Sequence, residues 1–571
     1  MNTEFIVEYE LYDTTAQEDG RESSDTNQLF GNIELLKEKK EPTEYASLEQ
    51  NFFVLDGTKN EMPDLPTDIA YYSQAQADGN GEFADRQSVH IAFSEQHTSV
   101  GITLYFEDVY PLEIEISWYD ISGILRSKKT YHPNSRIFFA DNQVEDYGSI
   151  KIDFLKTLPY HNVKLSHIEY GTTLQWGRDT IKTGKLTEDT DPISNTIKIN
   201  KLNFSFVDTK DLFNLANPSG IHRVFQNRQR MTAYEMLDNR KMLLGVFYMD
   251  TNASANNLAQ ITAFDKKGLL DGADFVEGDI YSGELAGGII DKIMETAGIT
   301  EYSVDDEVRN TPLYGTLKIQ TCRNALREVL FACGAIIDSS RRSELYIRKS
   351  NRIVSNMVER TRKFSTDLKM EAYVSDVAVK YQTWTLSDEV KRITKGMYKA
   401  GTHTINLSNP SANMVTNVGT IEKQTPYYLV LKLDAEAEVE IMGQKWESEE
   451  LSALASVENV KGGEVRSTKT FSGSLLDFSK AQEIAENILS YYQLQQTINI
   501  RYLGNTEKAG DWLEIQNPVT THGNFVAGIE NITTDLTGGF IQTARCRGYY
   551  KLVTADYYAG EIYTGEEVGT I

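Results

Sequence analysis

The stretch VHIAFSEQHTSVGITLYFEDVYPLEIEISWYD, residues 89–120, alternates apolar and polar residues in short runs that turn residues separate. This period of two is typical of half-buried β-strands, and the stretch lacks the 3.6-residue period of a helix. Similar runs follow it: GILRSKKTYH (123–132), SRIFFA (135–140), GSIKIDFLKT (148–157) and NVKLSHIEYG (162–171). Many short strands without intervening helices predict a jelly-roll-like β-sandwich, which we assign to residues 30–175.

Strand-like runs also occur on both sides of this module. EFIVEYELY (4–12) predicts a strand within residues 1–29, followed by a polar loop, and we expect residues 1–29 to belong to the first of two β-barrel-like domains. Runs such as INKLNFSFVD (199–208) and LAQITAFDKK (258–267) predict a β-barrel-like domain over residues 196–270. Runs such as VSDVAVKYQTWT (374–385) and TINIRYL (497–503) predict a second one over residues 368–553. Residues 554–571 are polar and acidic, and we expect a C-terminal tail.

Three helices are predicted, two of them between the barrel-like domains. Ser282 is the expected cap of a helix in SGELAGGIIDKIMETAG, which Gly298 would end. Thr321 precedes a clearer helix, CRNALREVLFACG, which ends at Gly334. The third helix spans residues 477–493. The fold class is therefore mainly β (α+β), with a small α/β unit at residues 271–367.

The charge of the chain bears on its possible partners. There are 83 acidic and 57 basic residues, a net charge of −26, so the chain is a poor candidate for wrapping nucleic acid. Two segments are nevertheless basic, and they contain Arg223, Arg228 and Arg230, and then Arg341, Arg342 and Arg348. Such patches can orient subunits that dock, or they can be solvated faces of strands and turns.

Cysteine content and the apolar runs limit the setting in which the chain works. Cys322, Cys333 and Cys546 form no C-x-x-C pair and are too few for a disulfide framework, which fits folding in a reducing cytosol. No apolar run approaches the roughly 18 residues of a membrane span. The N-terminus lacks the basic and apolar regions of a secretory signal.

The search for catalytic and ligand-binding motifs predicts no catalytic, metal or cofactor site. The chain contains no G-x-S-x-G elbow, P-loop or H-E-x-x-H motif. His161 and His167 would lie on one face of a strand, but ordinary structural histidines are the better interpretation. Aromatic and acidic residues at strand ends, namely Trp118, Tyr119, Asp120 and Tyr170, could stack on a sugar; alternatively they close the sandwich core.

Two stretches carry a resemblance to known proteins. The first begins with FGNIELLKEKKEPTEYASLEQNFFVLDGT (30–58) and ends with GSIKIDFLKTLPYHNVKLSHIEYG (148–171). It resembles an N-terminal module of structural proteins from phages and prophages of Gram-positive bacteria. The second contains KLNFSFVDTKDLFNLANPSGIHRVFQ (201–226), TCRNALREVLFACGA (321–335) and VAGIENITTDLTGGFIQTARCRGYY (526–550). In their order these are similar to phage tail or baseplate hub proteins.

The resemblance implies a structural role in a virion tail assembled in the bacterial cytoplasm. Hub proteins of this kind carry two similar β-barrels, and three subunits form a ring of six that joins a sixfold tail tube to a threefold spike or fibre apparatus. The implied partners are two further copies of the chain, the tail tube or distal tail protein, the tape-measure protein and other baseplate proteins, with DNA only as passing cargo. The alternatives are a carbohydrate-binding adhesin of the tail tip and, less favoured, an enzyme that degrades cell walls.

Overall fold

The computed structural model describes residues 3–39, 45–47, 49, 60, 69–209, 213, 229–238, 240–255, 257–460, 464–518 and 523–552. These residues form 34 strands, β1–β34, and five α-helices, α1–α5, numbered along the chain. The mainly β fold predicted from the sequence is therefore confirmed.

The N-terminal module is a seven-stranded sheet that follows the first strand of the chain. After β1 (Thr3–Tyr12), the elements of the module are α1 (Thr14–Asp19), β2 (Arg21–Ser23), β3 (Tyr71–Tyr72), β4 (Glu82–Phe106), β5 (Glu113–Tyr119), β6 (Leu125–Tyr131), β7 (Ile137–Lys156) and β8 (Lys164–Glu169). The strand order is β3-β8-β4-β7-β5-β6, and β2 pairs with β4. Alternate residues of β5, Ile114, Ile116 and Trp118, point into the core. These strands form one hydrogen-bonded sheet, so the jelly-roll arrangement stays a prediction.

The pairing at the ends of this module differs from the predicted range of 30–175. Strand β9 (Gly171–Trp176) leaves the module and pairs with β1, from Tyr12↔Gly171 to Val7↔Trp176. Gly171 has a φ of 149°, and a Cβ there would lie 1.9 Å from the carbonyl oxygen of Leu11. Only glycine can approach the backbone of Leu11 this closely, and residue 171 is therefore a position at which the chain can pass from one sheet to the other. At the other end, β2 adds residues 21–23 to the module.

Strands β1 and β9 belong to a seven-stranded unit, which we call the first unit. Its other strands are β10 (Ile181–Asp189), β11 (Lys201–Val207), β12 (Arg230–Leu237), β13 (Arg240–Ala255) and β14 (Leu258–Asp265), in the order β10-β11-β14-β13-β12-β1-β9. Inward residues of β1, including Phe5, Val7 and Tyr9, pack against Trp176 and Phe204. The predicted strand at residues 4–12 is thus part of this unit.

A small α/β unit follows. Its elements are β15 (Asp274–Phe275), β16 (Ile280–Leu285), α2 (Ala286–Thr296), β17 (Tyr302–Val304), α3 (Asp306–Arg309), β18 (Pro312–Thr316), β19 (Gln320–Thr321), α4 (Cys322–Cys333), β20 (Ala335–Asp338) and β21 (Leu345–Lys349). Helix α4 matches its prediction, because Thr321 accepts a hydrogen bond from the Asn324 amide at 3.3 Å and Gly334 is left-handed. The prediction that Ser282 caps α2 is wrong. Ser282 lies within β16, which pairs with β18, and the helix begins four residues later.

The remaining strands form a six-stranded second unit and an inserted arm. The elements are β22 (Val354–Val358), β23 (Lys363–Met370), β24 (Asp376–Tyr398), β25 (Gly401–Asn406), β26 (Ser411–Thr416), β27 (Thr420–Gln424), β28 (Tyr428–Leu433), β29 (Ala437–Ser456), β30 (Thr468–Ser472), α5 (Phe478–Tyr492), β31 (Gln496–Leu503), β32 (Trp512–Gln516), β33 (Gly523–Asp535) and β34 (Ile541–Leu552). Strands β22, β23 and β31–β34 make the second unit. The arm, residues 376–472, forms a four-stranded and a three-stranded sheet of its own, within the predicted second barrel region. Helix α5 lies within the predicted range of 477–493, and the Asp477 carboxylate caps it by accepting a hydrogen bond from the Lys480 amide at 2.8 Å.

The two units join into one thirteen-stranded sheet. Strand β10 of the first unit pairs with β33 of the second, from Lys185↔Asp535 to Asp189↔Asn531. In the described part of the chain neither unit closes into a barrel, so the two predicted barrels are seen as halves of one open sheet. The physical reason is that β10 and β33 use their free edges to satisfy each other's backbone groups.

Candidate functional site: a buried polar junction between the two units

A cluster of buried polar side chains lies where the two units and the α/β unit meet. The turn of the β20–β21 hairpin enters this region, and its backbone bends there because Arg341 has a φ of 59°. The Arg341 amide donates to the carbonyl oxygen of Leu244 on β13 at 3.3 Å. The hairpin of the α/β unit therefore contacts the first unit directly.

Hydroxyl and amide groups extend these contacts on the side of the first unit. Asn200 donates from Nδ2 to the hydroxyls of Ser339 (3.2 Å) and Ser340 (3.1 Å). The Ser339 hydroxyl in turn donates to Asp265, at the end of β14. Lys267 pairs with the same Asp265 carboxylate at 3.3 Å. All five residues are buried, so their polar atoms depend on one another for hydrogen bonds.

A second set of contacts reaches the other unit. Lys508, just before β32, pairs with Asp338 and donates to the carbonyl oxygen of Ser340 at 3.2 Å. Arg348 donates to the carbonyl oxygen of Gly510 at 3.4 Å. One hairpin thus bonds to both units beside the β10–β33 pairing. We call this set of contacts the junction.

The charged groups of the junction are strongly desolvated. Arg341 donates to Glu188 on β10 at 3.2 Å, and Glu188 is 1% exposed. Burial raises the pKa of the Glu188 carboxyl, and the Arg341 guanidinium offsets part of that rise. Burial likewise raises the pKa of Asp265, with Lys267 opposing the rise. Removing one partner of such a pair leaves an uncompensated charge and costs about 3–5 kcal/mol.

Glu235 on β12 is the least compensated group near the junction. It is fully buried, and its carboxylate forms neither an ion pair nor a hydrogen bond of normal geometry with any described residue. Burial raises its pKa to about 8, an effect that Arg341 opposes and Glu4 reinforces. The protonated form of this carboxyl is therefore favoured at neutral pH.

The sequence contained a signal for these acidic residues that motif searches miss. In MTAYEML, Met231, Ala233 and Glu235 occupy alternate positions, so the carboxylate falls on the buried face of the strand. In β10, Leu186 and Glu188 show the same spacing. An acid at an inward strand position indicates a buried partner, but only the tertiary structure identifies that partner as Arg341.

The arginines predicted to form a docking patch have different surroundings. Arg223 and Arg228 lie outside the described residues. Arg230 lies 3.8 Å from Glu10. Arg342 stacks over the Tyr346 ring at 4.5 Å and lies 3.7 Å from Glu344. The described arginines thus have partners within the chain, and three of them, Arg341, Arg342 and Arg348, belong to or flank the junction.

The residues predicted to contact carbohydrate belong mostly to the core of the N-terminal module. Trp118 and Tyr170 are 0% and 1% exposed, and both pack in its hydrophobic cluster. Asp120 accepts hydrogen bonds from the Ser122 and Ile124 amides at 2.9 Å and so fixes a turn. Tyr119 is half-buried. These positions favour the interpretation that the aromatic rings close the core.

Other ionisable groups were also candidates for chemistry. Groups of three or more residues that could hold a metal ion are absent from the described residues. His167 Nδ1 lies 2.8 Å from the carbonyl oxygen of Leu36, a structural contact. His97, which the sequence did not single out, lies between Asp13 (3.2 Å) and Asp19 (3.0 Å) and joins α1 to β4. Among the helices described, none is long and apolar enough to cross a membrane.

Comparisons with known proteins give similarities only at the level of structure. No family model and no curated protein matches the chain. The chain is similar to a tail protein from Neisseria meningitidis, with 11% identity, 64% of this chain and 92% of that one covered, and a TM-score of 0.39. It is also similar to a prophage MuSo2 tail protein from Shewanella oneidensis, with 10% identity, 64% of this chain and 97% of that one covered, and a TM-score of 0.37. A third similar structure is a prophage tail protein from Listeria monocytogenes, with 8% identity, 66% of this chain and 91% of that one covered, and a TM-score of 0.36. All three are tail proteins, and all three TM-scores lie below 0.5.

Proposed function

We propose that the chain is a structural, non-enzymatic hub of a phage tail tip or baseplate. It would form a homotrimeric ring that adapts a sixfold tail tube to a threefold spike or fibre apparatus. One observation carries the proposal: each chain holds two mainly antiparallel units, of seven and six strands, joined edge to edge through β10 and β33. Three such chains present six units around one axis, as a sixfold tube requires.

The junction supports this role because it fixes the angle between the units. A hub bears load along the tail, so its two units must not rotate against each other. Hydrogen bonds from one hairpin to Asp265 and to Lys508 hold both units at once. Burying such a network costs desolvation free energy, and its main effect is to hold the groups in one fixed geometry.

The proposed partners are the tail tube or distal tail protein, the tape-measure protein and the spike or fibre proteins. The net charge of −26 suits a ring through which DNA passes, because acidic walls repel phosphate groups. The N-terminal module would lie outside the ring and contact a peripheral baseplate protein. Assembly in the bacterial cytoplasm and a final location in the virion tail follow from this role.

The test is the stoichiometry of the assembled particle. Native mass spectrometry of isolated baseplates, and image averaging without imposed symmetry, should give three copies of the chain around the axis. Six copies or a stable dimer would contradict the two-unit argument. Binding of the isolated N-terminal module to a glycan array would instead favour the adhesin, and zymogram activity on purified cell walls would favour the enzyme.

A junction variant tests the structural part of the proposal. Glu188→Lys places a second cation beside Arg341 in a buried site and should abolish ring assembly. Lys185→Glu, on the exposed face of the same strand, is the matched control and should assemble normally. Assembly by the Glu188→Lys variant at the wild-type level would show that a fixed angle between the units is unnecessary.

A further inference from the structure

A groove of about 550 Å³ lies where the second unit, helix α5 and the end of the β20–β21 hairpin meet. Its floor is apolar and is made by Phe331, Ile336, Ile484, Ile488 and Ile529. A volume of this size takes several side chains of a peptide or one small ligand. These five side chains are at most 5% exposed, so most of the surface that a ligand would meet belongs to the rim.

The rim is dominated by cations that face the groove. Arg352 donates to the Ser490 hydroxyl at 3.0 Å, and its guanidinium lies 5.8 Å from the Trp512 ring centroid. No described carboxylate forms an ion pair with Arg352, and burial lowers the pKa of its guanidinium. Lys349, on the same rim, donates to the carbonyl oxygen of Cys333 at 2.7 Å.

The other charged rim residues are already paired. Arg547 pairs with Glu530 at 3.0 Å, and Glu483 pairs with Lys480 at 2.8 Å. Glu307 lies 3.9 Å from Lys349, a loose contact. Arg352 therefore carries the positive charge that the rim leaves uncompensated, directly above an apolar floor. A ligand that combines a carboxylate with aromatic or aliphatic side chains would match both features.

The chain itself contains a segment of this chemistry. Residues 553–571, VTADYYAGEIYTGEEVGTI, hold four acidic residues, three tyrosines and no lysine or arginine. The segment lies outside the described residues and begins directly after β34, the strand that brings Arg547 to the groove. Five residues of strand separate Arg547 from Leu552, about 17 Å, and nineteen further residues span up to about 60 Å. The segment is thus long enough to return to the groove.

We propose that the groove binds the acidic, tyrosine-containing segment 553–571. A carboxylate of the segment pairs with Arg352, and its tyrosine rings lie over the small apolar surface that the floor leaves exposed. Because the groove is lined by the exit of β10, by the hairpin and by α5, the bound segment ties the α/β unit to the second unit. This inference concerns the single chain and does not depend on the hub role.

Zero-length carbodiimide cross-linking of the full-length chain, followed by peptide mass spectrometry, tests the proposal. The expected product joins the Lys349 amine to a carboxylate among Asp556, Glu561, Glu566 and Glu567. In Arg352→Lys the new amine should join the same segment. Mixing isotopically heavy and light protein shows whether the segment comes from the same chain or from a second copy.

Charge variants supply the controls. Arg352→Glu should lower the yield of the Lys349 product at least fivefold, and Arg352→Gln should lower it less. Arg360→Glu, exposed and outside the groove, is the matched control and should leave the yield unchanged. The proposal is overturned if Lys349 links to the segment no more often than the exposed Lys391 of the arm does, or if Arg352→Glu has no effect.

Discussion

Glu235→Gln should make the thermal stability of the chain less dependent on pH. Glu235 is fully buried beside Arg341, and its pKa is about 8 in the folded chain against 4.5 for an exposed glutamate. A carboxyl whose pKa is higher in the folded state binds its proton more tightly there. The wild-type chain therefore loses stability as the pH rises from about 4.5 to about 8, whereas a glutamine at this position does not titrate.

The magnitude follows from the difference between the two pKa values. Each unit of difference is worth about 1.4 kcal/mol, so the 3.5 units give a ceiling of about 5 kcal/mol, reached above pH 8. For a unit of 150–250 residues, each kcal/mol shifts Tm by roughly 2–4 °C. The buried amide of glutamine adds a cost of its own, but that cost is the same at every pH and does not change the slope.

Scanning calorimetry of both full-length proteins between pH 5 and 9 measures this effect. The Tm of the variant minus that of the wild type should rise by several degrees from pH 5 to pH 8.5, and the value at pH 5 is the internal control. A Tm difference that stays constant over this range would refute the reasoning. It would mean that Glu235 titrates as a solvated carboxyl and that water enters the junction.

Three further predictions concern the rest of the chain. Leu330→Ala, on the buried face of α4, should cost about 2–5 kcal/mol, whereas Arg327→Ala, which removes a half-buried side chain paired with Glu328, should cost less than about 1 kcal/mol; equal Tm shifts would contradict the assigned helix phase. A fragment of residues 13–170 should unfold cooperatively and at a higher temperature than one of residues 30–175, because it keeps α1 and β2 and omits β9; the reverse order in circular dichroism melts would argue against the module boundaries given by the pairing. Iodoacetamide at pH 8 should leave the native cysteines unmodified and label them after denaturation, because burial raises the pKa of Cys322 and of Cys333 to about 11 and also that of Cys546; rapid native labelling would show an open core.

Local sequence patterns were enough to predict many of the strands and all three helices that were expected, although the start of α2 was placed too early. Alternation at residues 112–120 identified β5, and Thr321 and Gly334 marked the ends of α4, because these signals depend on neighbours within a few residues. Ser282 failed as a predicted cap for the same reason. Its local sequence suits a helix start, but pairing of β16 with β18 holds the residue in a strand.

Sequence alone determined that this chain is mainly β and that its charge is strongly acidic. Tertiary structure alone decided which strands pair over long separations. Residues 185–189 meet residues 531–535, and Gly171 turns β9 away from the N-terminal module. Strand pairing and buried ion pairs join residues hundreds of positions apart, and their energy depends on geometry that no local pattern encodes. For that reason the barrels expected from the sequence are seen as one open sheet, and Arg341, for which the sequence left subunit docking and a solvated face as alternatives, is a buried partner of Glu188.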